Sequence, residues 1–428
     1  MAPFLIALIS FGLRLWDLAT PKGFVFDEVY YVDGARDLLK YGVEVTKSSP
    51  EFIVHPPAGK WCIALGIKIF GNNEFGWRFA AAVAGALTIY LVGRIARKLF
   101  NSRRLAALAS LLMALDGLHL VHSRTALLDL FLTLFILLAV YAWLKEHYWR
   151  SGIWFGLALG TKWSALYFLA AFALLAIYRD RHRMEPWFKL LLKRIVQFAI
   201  VPLVTYVLSW TGWFLSSRGW DRHWADSRST SWSVIPKSFR SFWHYHAEIL
   251  NFHTTLTTPH SYQANPWSWL IMGRPTSFFY EAPNTCGSDN CSQEVLALGT
   301  PLLWWLGIFA LATVLGFWMR SLAFRMPDFT AGIILLGVAA GYLPWFLFQK
   351  RTVFTFYAIV FEPFIILALV YCAQKILGEP PWGKKSKILI AVLVLLIAAN
   401  FIYFWPLFTG SVISYDAWHR LMWFPSWI

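Results

Sequence analysis

Asp27 and Glu28 stand side by side at the head of an aromatic, amphipathic stretch, FDEVYYVDGARDLL, directly after a first apolar segment. Adjacent acids in so apolar a chain need a reason, because a carboxylate costs roughly 2.5–3.5 kcal/mol at the centre of a membrane helix even on lenient scales. Held just outside the hydrocarbon, such a pair makes the first loop the place to look for chemistry. Asp27 also reads as a helix N-cap and Glu28 as an acid favoured by the helix dipole. The readings are compatible, since a cap position fixes a carboxylate in space.

Three further groups gather around this pair in the sequence. His55-Pro56-Pro57 puts an imidazole on a rigid backbone, with Lys60 one turn further on to add positive charge for an anionic ligand. His122-Ser123-Arg124 leads into Asp129, which is costly inside an apolar segment and calls for a buried pair with Arg124 or Lys162. Arg124 opposes the dipole preference at a helix start, so it needs a partner such as Asp129 or a phosphate. Arg78, Lys162 and Lys350-Arg351 add cations, some of which would only snorkel to headgroups. Two acids with a ring of cations suit a reaction that expels a lipid phosphate.

The elements that must position these residues are membrane helices. Of the 428 residues 58% are hydrophobic and only 14% charged, and the mean hydropathy is +0.52; no soluble globule of this size is so apolar. The 25 tryptophans suit interfacial belts. A formal net charge of +15 suggests nucleic acid at first sight, but the basic residues sit in short loops between apolar segments and no basic soluble domain exists to carry such a role. MAPFLIALISFGLRLW has no positive n-region and Ala19-Thr20-Pro21 is a poor cleavage site, so it reads as a retained span.

Apolar segments of membrane-crossing length predict about eleven transmembrane helices in an all-α polytopic protein, one unit over residues 1–428 without repeats or a separate domain. They fall near 3–19, 76–98, 105–118, 125–144, 152–161, 163–178, 195–215, 300–319, 329–348, 353–373 and 388–406; the fifth and sixth, interrupted by Gly160-Thr161-Lys162-Trp163, also read as a single long helix, but two shorter spans keep the charge pattern consistent. The basic loops 94–104, 145–150, 179–194, 320–325 and 374–387 then share one face. The first loop (20–75), the 116–124 turn, the long loop 216–299 and residues 349–351 share the other, outer face. Within the first loop the spacing predicts an interfacial helix over 28–41 and a second, too short to span, over 58–70. Trp220, His223, His244, His246 and Trp267 of the long loop would stack on a sugar, line a peptide groove or pack at the interface.

Cys286 and Cys291 flank GSDN in the long loop and suit a small disulfide, since a zinc site there would need two more ligands. Cys62 and Cys372 lie in apolar segments. A Gly-rich phosphate loop, a nucleotide fold and a DxD-like metal motif are all absent, which argues against a sugar-nucleotide donor.

Phe26-Asp27-Glu28 with Tyr30-Tyr31, His55-Pro56-Pro57-Ala58-Gly59-Lys60, Ser123-Arg124-Thr125-Ala126-Leu127-Leu128-Asp129 and Arg351-Thr352-Val353-Phe354-Thr355-Phe356-Tyr357 together resemble the protein O-mannosyltransferases, of the C-type glycosyltransferase class. The likeness extends from the first span to the closing WFPSW. A related class that glycosylates lipid A has Lys-Pro-Pro in place of His55-Pro56-Pro57. No β-trefoil insertion of the eukaryotic kind is visible, which resembles bacterial, especially actinobacterial, members.

The resemblance implies a polyprenyl-phosphate-mannose donor, a Ser or Thr acceptor on an exported protein, inversion at the anomeric carbon, no bound metal or other cofactor, and a multi-pass plasma-membrane enzyme with its active site on the extracytoplasmic face. Asp27 would be the base, with Glu28 beside it in the catalytic pair. His55, Lys60, Arg78, His122, Arg124, Asp129, Lys162, Arg351 and Tyr357 are the expected substrate-binding residues. Membrane lipids and the export translocon are the expected partners. Two rivals follow from the same residues: a same-fold transferase acting on a lipid or glycan, and a lipid transporter or flippase, which would place its charges near the midplane.

Overall fold

The computed structural model of the chain describes residues 1–428 except 47–48, 182, 229–233 and 379–380. Its first helix, α1 (Ala2–Leu15), leads through an irregular turn into α2 (Glu28–Tyr41). Gly42, at φ 74°, ends α2 in the left-handed region that glycine enters without strain. Pro57 opens α3 (Ala58–Phe70), and Asn73 caps the long α4 (Glu74–Phe100) by accepting from the Gly76 amide at 2.9 Å. Ser102 caps α5 (Arg103–Ala114) in the same way, and Asp116 caps the one-and-a-half turns of α6 (Gly117–His122). The apolar run expected to cross over 105–118 is therefore broken at its C-terminal end, where the Asp116 side chain accepts backbone N–H groups.

α7 (Leu128–Leu144) lies at the centre of the bundle, with every side chain but Leu138 and Tyr141 buried. A helix apolar on all sides must be surrounded by protein or lipid. α8 (Tyr148–Leu159) and α9 (Ala165–Asp180) are separate helices, divided between Gly160 and Ser164. The next run passes from α10 (Trp187–Ile195) through a π-turn (Val196–Ile200) into α11 (Val201–Ser209) and the short α12 (Thr211–Leu215). Pro202 supplies the cause: it lacks an N–H and its ring crowds the carbonyl four residues back, at Phe198.

The long loop carries α13 (Lys237–Thr255), and the C-terminal half adds α14 (Pro301–Ala323), α15 (Phe329–Tyr342), α16 (Glu362–Leu377), α17 (Lys384–Tyr403), α18 (Trp405–Thr409) and α19 (Tyr415–Leu421). Among the described residues five helical runs are long and apolar enough to cross a membrane: α4, Trp187–Ser209, α14, Phe329–Phe348 and α17. α17 leaves Ile388, Leu389, Val392, Leu395 and Leu396 exposed, as a helix facing lipid does. The protein is a mostly helical, multi-pass membrane protein.

It is not all-α. Strands β1 (Val45–Thr46) and β2 (Ser49–Pro50) pair in the first loop, and β3 (Thr276–Glu281), β4 (Cys291–Ala297) and β5 (Val412–Ser414) form an antiparallel sheet in the order β3-β4-β5. Helical periodicity is blind to this sheet, whose third strand comes from more than a hundred residues downstream. The Cys286–Cys291 disulfide closes the β3–β4 connection. The register slips between Ser277 and Phe279, leaving Phe278 on a bulge.

Close helix contact depends on missing side chains where α8 meets the π-turn. A Cβ on Gly152 would stand 2.1 Å from the carbonyl oxygen of Gln197, and backbone cannot swing aside as a side chain can. Gly152→Ala is expected to destabilise the protein by about 1–3 kcal/mol, the range for overpacking, read as a lower thermal midpoint in detergent; an unchanged midpoint would show that the two segments separate freely.

Candidate active site

Asp27 occupies the N-cap position of α2, but its side chain makes no capping bond. The backbone carbonyl of Asp27 receives the Tyr30 and Tyr31 amides instead, at 3.1 Å each. The carboxylate is left to accept from the Tyr31 hydroxyl at 3.3 Å. Burial, opposed by the nearby Lys162 charge and reinforced by Asp129, pushes the Asp27 carboxyl up to about 6. A carboxylate so raised is a better base than a solvated one.

A strained backbone aims it. Phe26 has φ 50°, a region costly for a bulky residue. Its ring is stacked on Phe278 with centroids 4.8 Å apart and meets Phe356 edge-on at 5.5 Å. Phe278 is the residue on the β3 bulge, and bulges re-aim side chains beside functional sites. The distant sheet thus holds the residue that precedes Asp27.

Glu28 and Arg78, expected at the reacting groups, are instead consumed by each other and by the backbone. Both are completely buried. The Arg78 Nε and Nη2 donate to the two Glu28 oxygens at 2.9 Å each. The Val25 and Ala126 amides donate to the same carboxylate at 2.8 Å. The remaining Arg78 N–H groups reach the carbonyls of Leu18, Pro21 and Gly23 at 2.8–3.3 Å. Neither side chain has capacity left for a substrate.

Arg124 departs from expectation in the same way. Its guanidinium donates to the carbonyls of Arg14, Trp16 and Asp17 at 2.6–3.1 Å. An arginine misplaced for its own helix is well placed at the C-terminal end of another, α1. Lys60 turns into a buried pair with Glu44 at 2.5 Å, away from the cavity. His122 is buried, its Nδ1 2.9 Å from the Leu118 carbonyl and its ring against Phe278 and Phe356. These three brace the site and do not line it.

The remaining expected residues meet at a cavity of ≈ 250 Å³. His55, Asp129, Lys162, Arg351 and Tyr357 line its polar end, while Leu166, Phe168, Pro344, Phe348 and Val360 continue it as an apolar channel. Asp129 and Lys162 pair at 2.7 Å, and the Lys162 Nζ lies 5.3 Å from the centre of the Tyr357 ring. Asp27 stands beside this cavity rather than in its wall, linked through Tyr31, whose ring lies 6.2 Å from that of His55. Burial, with Lys162 and His253 nearby, keeps His55 well below the usual imidazole range, so it is neutral at pH 7.

Among the lining residues that the sequence did not point to, His253 on α13 joins two sides of the site. Its Nε2 lies 2.9 Å from the Val54 carbonyl, and Arg351 Nη2 donates to its Nδ1 at 3.1 Å. The available signal was His246 and His253, seven residues apart and hence on one helix face. Of the named long-loop residues, His246 bonds Tyr206 at 2.7 Å, His244 bonds Asp221 at 3.1 Å, and Trp220 packs on Phe52 and Tyr245. His223 pairs with Asp226 at the surface and Trp267 packs on Phe346. None of these lines the cavity. Among the described residues no three His, Cys, Asp or Glu side chains gather as a metal site would require.

Residues 54–210 match the family model described as dolichyl-phosphate-mannose-protein mannosyltransferase, and residues 238–427 match the C-terminal four-span region of protein O-mannosyltransferase. A Mycobacterium tuberculosis protein named polyprenol-phosphate-mannose–protein mannosyltransferase is 32% identical over 99% of this chain and 90% of its own length. The chain belongs to the protein O-mannosyltransferase family. A Corynebacterium glutamicum relative of the same name is 32% identical, over 99% of this chain and 92% of its own. Among solved structures, the Saccharomyces cerevisiae Pmt1-Pmt2 complex bound to the sugar donor has the same fold, with a TM-score of 0.83 at 16% identity over all of this chain and 92% of that one. ArnT from Cupriavidus metallidurans, bound to undecaprenyl phosphate, shares the C-type fold at a TM-score of 0.55 and 17% identity, over 94% of this chain and 69% of that one.

In this mannosyltransferase Arg78→Ala leaves Glu28 buried and unpaired, which costs about 3–5 kcal/mol; the expected outcome is poor accumulation and a lowered thermal midpoint, and wild-type stability would contradict the pairing. Phe278→Ala lets water reach the Phe26-Asp27 corner, so the acidic limb of its kcat/KM profile moves to lower pH while the protein still folds. A limb that stays in place separates Phe278 from the carboxylate.

Proposed function

We propose that this enzyme transfers mannose from a polyprenyl-phosphate-mannose donor to Ser or Thr hydroxyls of exported proteins in a single inverting displacement. The observation that carries the reading is a raised-pKa carboxylate beside a cation-bearing cavity that runs on into an apolar channel, in a chain related over nearly its whole length to enzymes of that name. The phosphate of the donor sits at Arg351 and Lys162, with the prenyl chain along Leu166, Phe168 and Phe348. His55 and Tyr357 border the sugar. Asp27 takes the acceptor proton as the hydroxyl oxygen bonds to the anomeric carbon and the carbon–phosphate oxygen bond breaks.

The leaving group departs as an already stable phosphate anion, so cations replace a general acid. One base opposite the leaving group suits inversion, unlike the two-carboxylate retaining scheme. Asp129 holds Lys162 in place, and no cofactor beyond the lipid-linked sugar enters. Glu28, Arg78, Arg124, Lys60 and His122 act at one remove, by fixing the backbone around Asp27 and His55.

The proposed topology has eleven spans in a plasma membrane, with α2 and α3 lying along the outer interface and the cavity extracytoplasmic. Helices at each expected stretch and the one-sided clustering of basic loops support it. Acceptors would arrive during export, with the translocon as a candidate neighbour.

Membranes carrying the wild-type chain, given labelled polyprenyl-phosphate mannose and a Ser/Thr-rich peptide, are expected to label the peptide; label confined to lipid would mark the same-fold lipid transferase, and label moved without transfer would mark a flippase. Asp27→Asn should lower peptide labelling by about 10²–10⁴-fold with the protein still accumulating. Because the base must be ionised, wild-type kcat/KM should rise with pH through about 6 and then level. A flat profile between pH 5 and 7 would remove Asp27 from that role.

A further inference from the structure

The end of the bundle away from Asp27 holds a second polar cavity that the transfer reaction does not use. Asp129 is in the first turn of α7 and Glu146 lies just past its end; at about 1.5 Å per residue the helix puts these two ends ~25 Å apart, close to the thickness of the hydrocarbon core. Around Glu146 opens a pocket of ≈ 370 Å³ between the start of α8 and the end of α10. Arg150, Arg183, Lys193 and Arg194 line it, with Glu146 as its one carboxylate.

The ion pairs here divide those cations into two kinds. Arg183 pairs with Glu146 at 2.9 Å and with Asp180 at 3.1 Å, and Arg179 also takes Glu146, at 3.1 Å. Arg194 is buried, held by both Asp180 oxygens at 2.7 and 3.0 Å, and lies 4.0 Å from the centre of the Tyr148 ring. The two nearby acids are therefore fully engaged in building the wall. Arg150 and Lys193 have no ion pair among the described residues, and both are exposed on the pocket.

The surroundings place this pocket at the level of lipid headgroups. Trp149 in its lining is exposed, as are Trp187 and Phe188 at the start of α10, as ring side chains are at a membrane interface. One turn deeper, Ile153 on α8 and Ile195 at the end of α10 are exposed apolar side chains that face the hydrocarbon. Paired cations next to an apolar flank match a molecule with an anionic head and acyl tails. A basic pocket between membrane helices on this side is a known form of anionic-lipid site.

We propose that this pocket binds the phosphodiester headgroup of an anionic phospholipid, with Arg150 and Lys193 on the phosphate and the acyl chains along Ile153 and Ile195. The site rests on the multi-span reading and not on the catalytic assignment; in the proposed orientation it faces the cytoplasmic leaflet. A bound headgroup bridges the α7–α8 and α9–α10 corners, joining helices that meet above it at Gly152 and Gln197.

The test uses the full-length protein in neutral detergent, with phosphatidylglycerol or phosphatidylcholine added and lipid retention read by native mass spectrometry alongside thermal unfolding. Phosphatidylglycerol should be retained and raise the midpoint, phosphatidylcholine far less, and inorganic phosphate should do neither. Arg150→Gln with Lys193→Gln should weaken phosphatidylglycerol binding about thirty-fold, the factor for two basic side chains near a membrane surface. Arg150→Lys with Lys193→Arg should retain it, as should Lys384→Gln with Lys385→Gln, a pair of exposed lysines outside this pocket. Equal retention of both lipids by the wild type overturns the site even if the glutamine variant fails to fold. So does equal loss from the Lys384/Lys385 variant, which would make the effect general surface charge, or a response to inorganic phosphate matching that to lipid. Peptide mannosylation, measured in parallel, reports on the catalytic reading separately.

Discussion

The buried pair between Glu28 and Arg78 is the constraint on which the rest of this site depends. A carboxylate with no exposed surface is tolerable only when every lone-pair direction is used, and here two guanidinium N–H groups and two backbone amides use them. Those donors come from three places: the turn before α2, the body of α4 and the turn before α7. One side chain thereby fixes the relative positions of three segments, and Asp27, its neighbour in the chain, inherits the result. Asp27 itself spends none of its side chain on capping.

Division of labour among like charges follows from that geometry. Of the cations expected to meet the donor, those nearest Asp27 in sequence logic, Arg78 and Arg124, are enclosed by carbonyls and a carboxylate. Lys162 and Arg351 reach the cavity. Lys162 is balanced by Asp129 at 2.7 Å, which limits how far its charge can pull the Asp27 carboxyl down; burial dominates and the net movement is upward. Arg351 shares only one N–H with His253, whose other ring nitrogen is taken by the Val54 carbonyl next to His55. The long loop lines the cavity through Leu250, His253 and Thr254 and reaches Phe26 through Phe278 and His260, while Trp220, Phe242 and Tyr245 pack in a satellite core with Tyr206, Trp210 and Trp213.

The two ends of the bundle use charge differently. At the Asp27 end acids and cations are interleaved in and around the cavity, where desolvation makes each one matter. At the other end Arg150, Arg183, Lys193 and Arg194 outnumber Glu146 around the pocket, with Arg194 buried on Asp180 and Arg150 and Lys193 exposed.

Hydropathy and charge spacing alone determined that this chain crosses a membrane many times, because apolar length and the sidedness of basic loops are local properties of a sequence. The Phe26-Asp27-Glu28 and His55-Pro56-Pro57 motifs stand out in the sequence and lie at and beside the cavity in the fold, while the run over 152–178 reads equally as one long helix or two until the break at Gly160–Ser164 is seen. The sheet was not legible, since β5 joins β3 and β4 across more than a hundred residues and the bulge at Phe278 has no signature of its own. Nor could the sequence say which of several arginines would meet a substrate. That depends on which carbonyl groups fall within 3 Å of each guanidinium, and only the packed bundle brings the end of α1 to Arg124, the Glu28 carboxylate to Arg78, and His253 to Arg351.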